Sequence, residues 1–415
     1  MTNISKGLLT LQLVTILAGT FPHAALGDAN EGMTRVALPS SGPKCLDGNP
    51  AGFFWRAGRN GATDKWLIFL KGGGFCNSQK ECKSRSETKS GSFVRTKSVP
   101  NNVALMNDPE SPFIDFAYVY MPYCSGDNWM GTMEDNDWGL PRMGHSILEA
   151  AVDELITSGI WADATEVILN GNSAGGAGVI ANIDWIHDKL KPRNIKVSGV
   201  PISGWSGTWR VDVNPSTKDQ PQEEKDAVQM EAMANTGVYV RPACAAADPC
   251  LMADQILPFL QTPIFVLHNR WDSIHSGWLM SEPSFEHDAI LLMYGEELEA
   301  NMASLVAHGP QHGFFIPSCF AHDGLYGEYI GSTSTMQALN AWYHRSGNAE
   351  EAQQYQMMDT HGRDLKCSPS CGGNCNCKHA LCLGCDDPSN GAHIDFSSAG
   401  GGVIAEETLT SFDDC

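Results

Sequence analysis

The sequence has few basic residues and contains no apolar run long enough to anchor it stably in a membrane. Its 415 residues include 27 Lys and Arg against 48 Asp and Glu, so the formal net charge is −21. Nucleic-acid binding is not expected, because there is no surplus of positive charge to neutralise phosphates. Electrostatic docking on anionic membranes is not expected for the same reason. No stretch of eighteen apolar residues is present, so stable membrane insertion is not predicted either.

The N-terminal segment, residues 1–27, has the features of a cleaved signal peptide. Its apolar run, residues 7–19, is too short to span a membrane comfortably, and small residues follow at Ala25 and Gly27. An uncleaved anchor helix is the alternative interpretation. Fourteen cysteines are many for a cytosolic enzyme and indicate an oxidising compartment. We therefore expect a secreted protein.

The cysteines are unevenly distributed along the chain. Two pairs are close enough in sequence to form local disulfides: Cys76 with Cys82 and Cys244 with Cys250. Six more cluster in a C-terminal extension, residues 367–415: Cys367, Cys371, Cys375, Cys377, Cys382 and Cys385. Together with His379 this cluster has some features of a zinc site, but a disulfide knot is more typical of a secreted chain. We expect no metal and no other cofactor.

Short β-branched and aromatic runs alternate with longer segments of helical periodicity. The predicted strands cover residues 65–70, 116–121, 166–170, 197–202 and 263–268. The longer helices are predicted at residues 145–157, 174–190 and 286–308. This alternation is typical of a mainly parallel sheet with helices on both faces. We predict one α/β catalytic domain over residues 28–366, stabilised by disulfides, with its site beyond the C-terminal ends of the strands.

The segment Gly171-Asn172-Ser173-Ala174-Gly175 matches the G-x-S-x-G pattern of a nucleophile elbow. A predicted strand precedes it and a predicted helix follows it, which is the context that the motif requires. Small neighbours allow the sharp turn, and the turn presents Ser173 at a helix N-terminus, where developing negative charge is favoured. The alternative is an ordinary serine in a glycine-rich turn. We predict that Ser173 is a catalytic nucleophile.

A serine nucleophile needs a base, and the base needs an acid to orient it. Asp272 follows the predicted strand 263–268 and is the expected acid, although a solvated loop aspartate is the alternative. Asp254 and Asp288 lie in helical contexts and are weaker candidates. Two histidines, His312 and His322, are candidates for the base. Both follow the predicted helix 286–308 and lie in loops, so spacing does not choose between them.

Ester hydrolysis through a serine also needs backbone N–H groups that stabilise the oxyanion. One normally comes from the residue after the nucleophile, here Ala174. The run Gly72-Gly73-Gly74 ends an early predicted strand and is similar to an HGGG-type loop, which supplies the others. Glycine-rich turns are common, so this signal has weight only together with the elbow.

Several motifs resemble those of the pectin acetylesterase family, which includes plant pectin acetylesterases and the Notum carboxylesterases of animals. The matching segments span most of the chain and are CLDGNP (45–50), LKGGGFC (70–76), YCSGD (123–127), NGNSAGG (170–176), NRWDS (269–273) and SCFAH (318–322). The resemblance implies an α/β-hydrolase fold. Because the catalytic histidine of the family lies in its SCFAH motif, it also implies a triad of Ser173, Asp272 and His322. The oxyanion donors that it implies are Gly73, Gly74 and Ala174.

Three positions depart from the family pattern. Lys71 stands in place of a glutamate beside the glycines, Asn172 stands where plant members usually have cysteine, and residues 201–205 lack a Ser-Asp pair. The chain is therefore a divergent member whose substrate need not be the best-known one of the family.

The resemblance implies a carboxylester hydrolase, and members of the family act either on acetyl esters of cell-wall polysaccharide or on a long acyl chain of a secreted protein. The segments 128–143 and 205–218 are mostly polar and indicate an open groove rather than a closed acyl tunnel. We therefore expect a monomeric enzyme that removes acetyl groups from cell-wall or other extracellular polysaccharide. Pectin is one candidate, and neutral acetylated glycans are another because an acidic enzyme repels polygalacturonate. Two alternatives remain: removal of a long acyl chain from a secreted protein, and a binding protein without catalytic activity on a hydrolase scaffold. Six tryptophans in predicted loops are candidates for sugar stacking or for core packing: Trp129, Trp138, Trp205, Trp209, Trp271 and Trp278.

Overall fold

The computed structural model describes residues 32–99, 104–206, 231–239, 244, 252–272, 274, 285–319, 321–322, 327–348 and 350–359. The predicted signal peptide, residues 1–27, and the cysteine-rich extension, residues 367–415, lie outside the described residues. Cys250, the predicted partner of Cys244, also lies outside them. The predicted domain boundaries and these cysteine pairings therefore stay predictions.

A nine-stranded sheet forms the centre of the described part of the chain. Its strands are β1 (Thr34–Ala37), β2 (Gly52–Arg56), β3 (Lys65–Leu70), β4 (Ala117–Met121), β5 (Glu166–Asn172), β6 (Lys196–Ile202), β7 (Phe265–Leu267), β8 (Gly313–Ile316) and β11 (Gln356–Met358). A separate antiparallel pair consists of β9 (Tyr329–Ile330) and β10 (Thr333–Ser334). Most of these segments are rich in β-branched and aromatic residues, which favour strands.

The helices follow the strands in alternation. They are α1 (Gln79–Ser86), α2 (Ala104–Asn107), α3 (Gly144–Thr157), α4 (Ala174–Leu190), α5 (Ala253–Ile256), α6 (Phe285–Ala307) and α7 (Thr335–Tyr343). Side-chain caps define where some of them begin. Ser78 accepts a hydrogen bond from the Glu81 N–H at the start of α1, and Ser334 does the same for Gln337 in α7. In the part of the chain that the structure describes, no helix is long and apolar enough to cross a membrane.

The order of the strands in the sheet is β1-β2-β4-β3-β5-β6-β7-β8-β11. The last seven strands in this order, β4-β3-β5-β6-β7-β8-β11, are parallel to one another. Strands β1 and β2 form the antiparallel edge of the sheet. The predicted α/β-hydrolase-like fold is thereby confirmed. All five predicted strands and the three longer predicted helices are present, with ends that differ by at most two residues.

Burial of the central strands shows that both faces of the sheet are covered. Successive side chains of a strand point to opposite faces, yet every residue of β4 and all but the first residue of β3 are buried. Helix α4 packs on β3, β5 and β6. This packing holds the start of α4 close to the C-terminal ends of three neighbouring strands.

Two disulfides tie loops at this end of the sheet. Cys76 is bonded to Cys82, as predicted, and joins the loop after β3 to helix α1. Cys45 is bonded to Cys124 and joins the loop before β2 to the loop after β4. Cys244 and Cys319 each take part in a disulfide as well. The predicted stabilisation by disulfides is confirmed.

Candidate active site

Ser173 lies at the sharp turn between β5 and α4. Its φ of 54° and ψ of −124° are strained for a residue with a side chain. Its N–H donates to the Ile202 carbonyl of β6 at 2.8 Å, which holds the turn against the next strand. A Cβ on Gly175 would lie 1.9 Å from the Leu70 oxygen, so only glycine fits there. The structure thus forms the elbow that the G-x-S-x-G spacing predicts, with Ser173 half-buried.

Backbone strain is concentrated at the C-terminal edge of the sheet. Among the described residues, only three that are neither glycine nor asparagine have a positive φ: Trp129 at 62°, Ser173 at 54° and Ser203 at 47°. They follow β4, β5 and β6 respectively. Residues held in such conformations cluster at functional sites, because the surrounding packing must compensate for the strain. This edge is therefore the candidate site on backbone grounds alone.

Asp272 and His322 lie against each other beyond the end of β7. The His322 Nδ1 atom is 2.9 Å from Asp272 Oδ1 and 2.8 Å from Oδ2. The carboxylate is fully buried, and its Oδ1 also accepts the Ile274 N–H at 3.0 Å. With the Nδ1 proton donated to Asp272, Nε2 is the basic nitrogen of the neutral ring. The Ser203 hydroxyl donates to the His322 carbonyl and fixes the backbone of the histidine.

His312, the other candidate base, lies in a different environment directly before β8. It is fully buried. Burial first, and then the neighbouring His308, lower the pKa of His312 to about 4. The histidine that the structure places on Asp272 is His322. The burial of His312 fits a histidine that packs as a neutral side chain.

Two further buried side chains lie behind Asp272, and sequence reasoning did not find them. The His268 Nε2 atom is 3.8 Å from Asp272 Oδ2 and 2.7 Å from the Tyr294 hydroxyl. Burial, together with the charge of Asp272, raises the pKa of Tyr294 well above its ordinary value, so its hydroxyl stays neutral. The sequence contained a signal for His268. This histidine directly follows a buried strand and begins the loop that contains the acid, Asp272, four residues later.

The predicted oxyanion loop, Gly72 to Gly74, lies against the nucleophile. The Gly72 N–H donates to Asn172 Oδ1 at 3.0 Å. A Cβ on Gly72 would be 2.8 Å from the Ser173 Cβ, which shows how closely the loop approaches. The departure at Asn172 has a clear structural effect, since its amide oxygen ties the glycine loop to the elbow. Gly73 and Gly74 are exposed, and Ala174 is buried in the first turn of α4.

The predicted loop tryptophans serve packing where the structure describes them. Four of them are buried: Trp129, Trp138, Trp205 and Trp271. Trp129 also donates its indole N–H to the Lys71 carbonyl at 3.0 Å, beside the glycine loop. Trp209 and Trp278 lie outside the described residues. Core packing, the alternative to sugar stacking, is therefore the role of the four described side chains.

The described residues also show whether side chains that could ligate a metal come together. No group of three His, Cys, Asp or Glu in this part of the chain is arranged to hold a metal ion. Glu166, at the opposite edge of the sheet, lies 3.4 Å from Lys65 Nζ and 3.0 Å from Lys196 Nζ. The zinc alternative concerned residues 367–385, which lie outside the described residues.

Comparison with known proteins supports the same interpretation as the geometry of the site. A profile of the family described as Pectinacetylesterase matches residues 27–372. The chain belongs to this family. The predicted resemblance is thereby confirmed, and the family supports the predicted esterase function.

Three curated relatives illustrate the range of the family. The chain is 26% identical to palmitoleoyl-protein carboxylesterase notum1a of Danio rerio, over 74% of this chain and 64% of that protein. It is 28% identical to palmitoleoyl-protein carboxylesterase NOTUM of Drosophila melanogaster, over 77% of this chain and 49% of that protein. It is 27% identical to pectin acetylesterase 5 of Arabidopsis thaliana, over 68% of this chain and 70% of that protein. The chain thus spans between about half and seven-tenths of the length of these relatives.

Proposed function

We propose that this chain is a carboxylester hydrolase that acts through an acyl-enzyme on Ser173. The observation that carries the proposal is the contact of His322 Nδ1 with both oxygens of Asp272, at the same strand edge as the strained Ser173 turn. Family membership supports the reaction class. The buried carboxylate orients the imidazole and stabilises the imidazolium that forms during the reaction.

Each step of the proposed reaction uses a group already described. His322 Nε2 takes the proton of the Ser173 hydroxyl while the oxygen attacks the ester carbon. The N–H groups of Gly73, Gly74 and Ala174 stabilise the tetrahedral oxyanion. His322 then gives its proton to the departing alcohol, and a water molecule releases the acid by the same route in reverse.

The test of this mechanism is the removal of the nucleophile. Ser173→Ala lowers kcat on p-nitrophenyl acetate by about 10⁴- to 10⁶-fold and abolishes labelling by a fluorophosphonate, without a change in the far-UV circular dichroism spectrum. The matched control is Ser158→Ala, at an exposed serine after α3, which retains activity and labelling. Undiminished turnover in Ser173→Ala contradicts the mechanism. Absence of activity in the wild-type protein favours the non-catalytic binding protein instead.

For the substrate we propose an acetyl ester on an extracellular polysaccharide. One relative is named a pectin acetylesterase, which supports this choice. The segment 128–143 follows the site loop after β4, and its exposed residues are polar or glycine: Thr132, Glu134, Asp135, Asp137 and Gly139. A deep pocket for a long acyl chain requires a large apolar lining. These exposed residues fit a polar groove better.

Acyl-chain length separates this proposal from the alternative. We expect a higher kcat/KM for p-nitrophenyl acetate than for the octanoate or palmitate ester, and release of acetate from acetylated xylan or pectin. The Ser173→Ala protein is the blank for both assays. A clear preference for the octanoate or a longer ester contradicts the acetyl-ester proposal. It supports the alternative substrate, an acylated protein, which is the substrate that the names of the NOTUM relatives state.

We also propose that the protein is secreted as a monomer after cleavage near Gly27. The disulfides of the described residues support an oxidising compartment. N-terminal sequencing of the protein from culture medium and sedimentation equilibrium test the two statements. Retention in the cell with residues 1–27 intact contradicts the first, and a stable dimer contradicts the second.

A further inference from the structure

The carbonyl groups of the glycine loop are held by a charged side chain from helix α1. Arg85 Nη1 donates to the Gly73 carbonyl and, at 3.0 Å, to the Gly74 carbonyl. The Arg85 side chain is only 16% exposed, so the guanidinium lies between the helix and the loop rather than in solvent. One cation thus contacts two consecutive peptide groups beside Ser173.

The geometry of a peptide group turns this contact into a constraint on an N–H. In a trans peptide, the C=O and the N–H of one unit point in opposite directions. The Gly73 carbonyl and the Gly74 N–H belong to the same unit, so holding that carbonyl directs the Gly74 N–H away from Arg85. The Gly72 N–H is engaged with Asn172 Oδ1, which keeps the loop on the elbow. The chain therefore sets the orientation of the loop from both sides.

The positive charge has a second effect on the same peptide. A hydrogen bond to a carbonyl polarises the peptide group and makes its N–H a better donor, and the effect is greater when the partner is charged. Arg85 thus strengthens the Gly74 N–H as a donor to an oxyanion, besides orienting it.

Other contacts hold Arg85 and the loop in place. Glu81, one turn earlier in α1, lies 3.3 Å from Arg85 Nη2. The Tyr123 hydroxyl donates to the Gly74 carbonyl at 2.9 Å. The Cys76–Cys82 disulfide joins the loop to α1 covalently. A mobile surface arginine would have none of this support.

We propose that Arg85 is a positioning residue for ester hydrolysis, which holds the Gly73 and Gly74 carbonyls and thereby sets and strengthens the Gly74 N–H as an oxyanion donor. The inference rests on the proposed function, since it presupposes that an oxyanion forms at Ser173. Arg85 itself does not touch the reacting atoms. Its effect is therefore expected in kcat, where the oxyanion is stabilised, and not in KM.

The experiment compares three substitutions of Arg85 and one control variant on p-nitrophenyl acetate, with active sites counted by the end point of fluorophosphonate labelling. Arg85→Ala lowers kcat per labelled site by about 10- to 100-fold, less than the loss of a whole oxyanion donor, and leaves KM within about twofold. Arg85→Lys keeps the charge, so its kcat per labelled site lies between that of the wild type and that of Arg85→Gln. A matched control on the same helix, Lys83→Ala, removes an exposed positive charge without touching the guanidinium and changes kcat by less than about threefold.

Chemical rescue separates positioning from simple stabilisation of the fold. Guanidinium ion at low, non-denaturing concentration raises kcat of Arg85→Ala several-fold and does not raise that of the wild type. A lower melting temperature with wild-type kcat per labelled site overturns the inference, as does equal kcat in the Lys and Gln variants. If Arg85→Ala does not fold, the other two variants decide. A kcat that decreases from wild type to Arg85→Lys to Arg85→Gln supports the inference, and any other order overturns it. Activity in Ser173→Ala defeats the proposed function, whereas an inactive Ser173→Ala with a fully active Arg85→Ala defeats only this inference.

Discussion

The buried charge of Asp272 is the central feature of the site at the scale of single residues. It is satisfied by His322 on one side and by the Ile274 N–H, with His268 and Tyr294 behind it. A buried carboxylate is costly unless hydrogen bonds compensate for its lost hydration. The same bonds that stabilise the charge also set which nitrogen of His322 carries the proton.

The two candidate histidines are expected to respond differently to truncation. His322→Ala abolishes measurable turnover, because the imidazole that contacts Asp272, the proposed base, is then absent. His312→Ala lowers kcat by at most a small factor through packing around β8. Steady-state rates on p-nitrophenyl acetate, with circular dichroism to check folding, measure the difference. The reverse pattern shows that the wrong histidine has been assigned.

His312 is expected to affect stability instead, in a defined pH range. Its pKa is lowered to about 4 in the folded protein, whereas an unfolded histidine has a pKa of about 6.5. The unfolded chain therefore binds more protons between these values, and stability is lost as the pH falls through this range. The full effect is roughly 3 kcal/mol.

Urea unfolding at pH 7 and pH 4.5 measures this dependence. His312→Asn makes the loss of unfolding free energy between the two pH values smaller than in the wild type. The control is His344→Gln, at an exposed histidine directly after α7, which changes the difference much less. An unchanged pH dependence in His312→Asn shows that other groups cause it.

At the scale of elements, strand β5 carries different tasks at its two ends. Its C-terminal end leads into Ser173, whereas its first residue, Glu166, lies at the opposite edge of the sheet. Glu166 accepts a hydrogen bond from the Tyr343 hydroxyl at 2.8 Å and contacts Lys65 and Lys196. Burial alone raises the pKa of Glu166, but these partners outweigh it, so that the pKa lies below the ordinary value. This cluster ties β3, β5, β6 and α7 together away from the site.

Neutralising Glu166 is therefore expected to separate stability from activity. Glu166→Gln lowers the free energy of unfolding by about 1–3 kcal/mol at pH 7, because the buried Glu166 carboxylate loses its charged interactions with Lys65 and Lys196. It leaves kcat unchanged while the protein is folded. Because the folded pKa is lowered, the wild-type advantage shrinks as the pH falls through the titration of Glu166. Urea titrations at pH 7 and pH 4 measure it, and a constant difference between the two proteins contradicts the assignment.

At the scale of the whole molecule, the disulfides Cys45–Cys124 and Cys76–Cys82 constrain very different lengths of chain. Cys45 and Cys124 are 79 positions apart, whereas Cys76 and Cys82 are 6 apart. The longer link also joins the antiparallel edge of the sheet to the loop after β4. A cross-link that closes a longer loop removes more conformational entropy from the unfolded chain.

Removing the long link is expected to cost more stability. The chain-entropy relation gives about 4.5 kcal/mol for Cys45–Cys124 and about 2 kcal/mol for Cys76–Cys82. We expect Cys45→Ser with Cys124→Ser to lower the melting temperature more than Cys76→Ser with Cys82→Ser. Differential scanning calorimetry of the two double variants measures this. Equal shifts contradict the entropic account.

Local features of the sequence were sufficient for the central elements. Residues 65–70 and 174–190 form the strand and the helix that were predicted, because a continuous apolar run and a helical periodicity need no distant partner to be recognised. The elbow follows from spacing as well, since small residues between a strand and a helix permit few backbone paths. The strands β1 and β2 were not predicted, because they are short and are stabilised by pairing along the sheet edge.

Long-range contacts between loops were decided only by the tertiary structure. Sequence spacing left His312 and His322 equivalent, and the family motif implied His322 without showing a contact. The folded chain shows that His322 lies on Asp272, 50 positions away. The contact of Arg85 with the glycine loop was likewise invisible, because both partners lie in surface segments without periodicity. The physical reason is the same in both cases: periodicity reports burial along one element, whereas a catalytic geometry depends on where the ends of several elements meet.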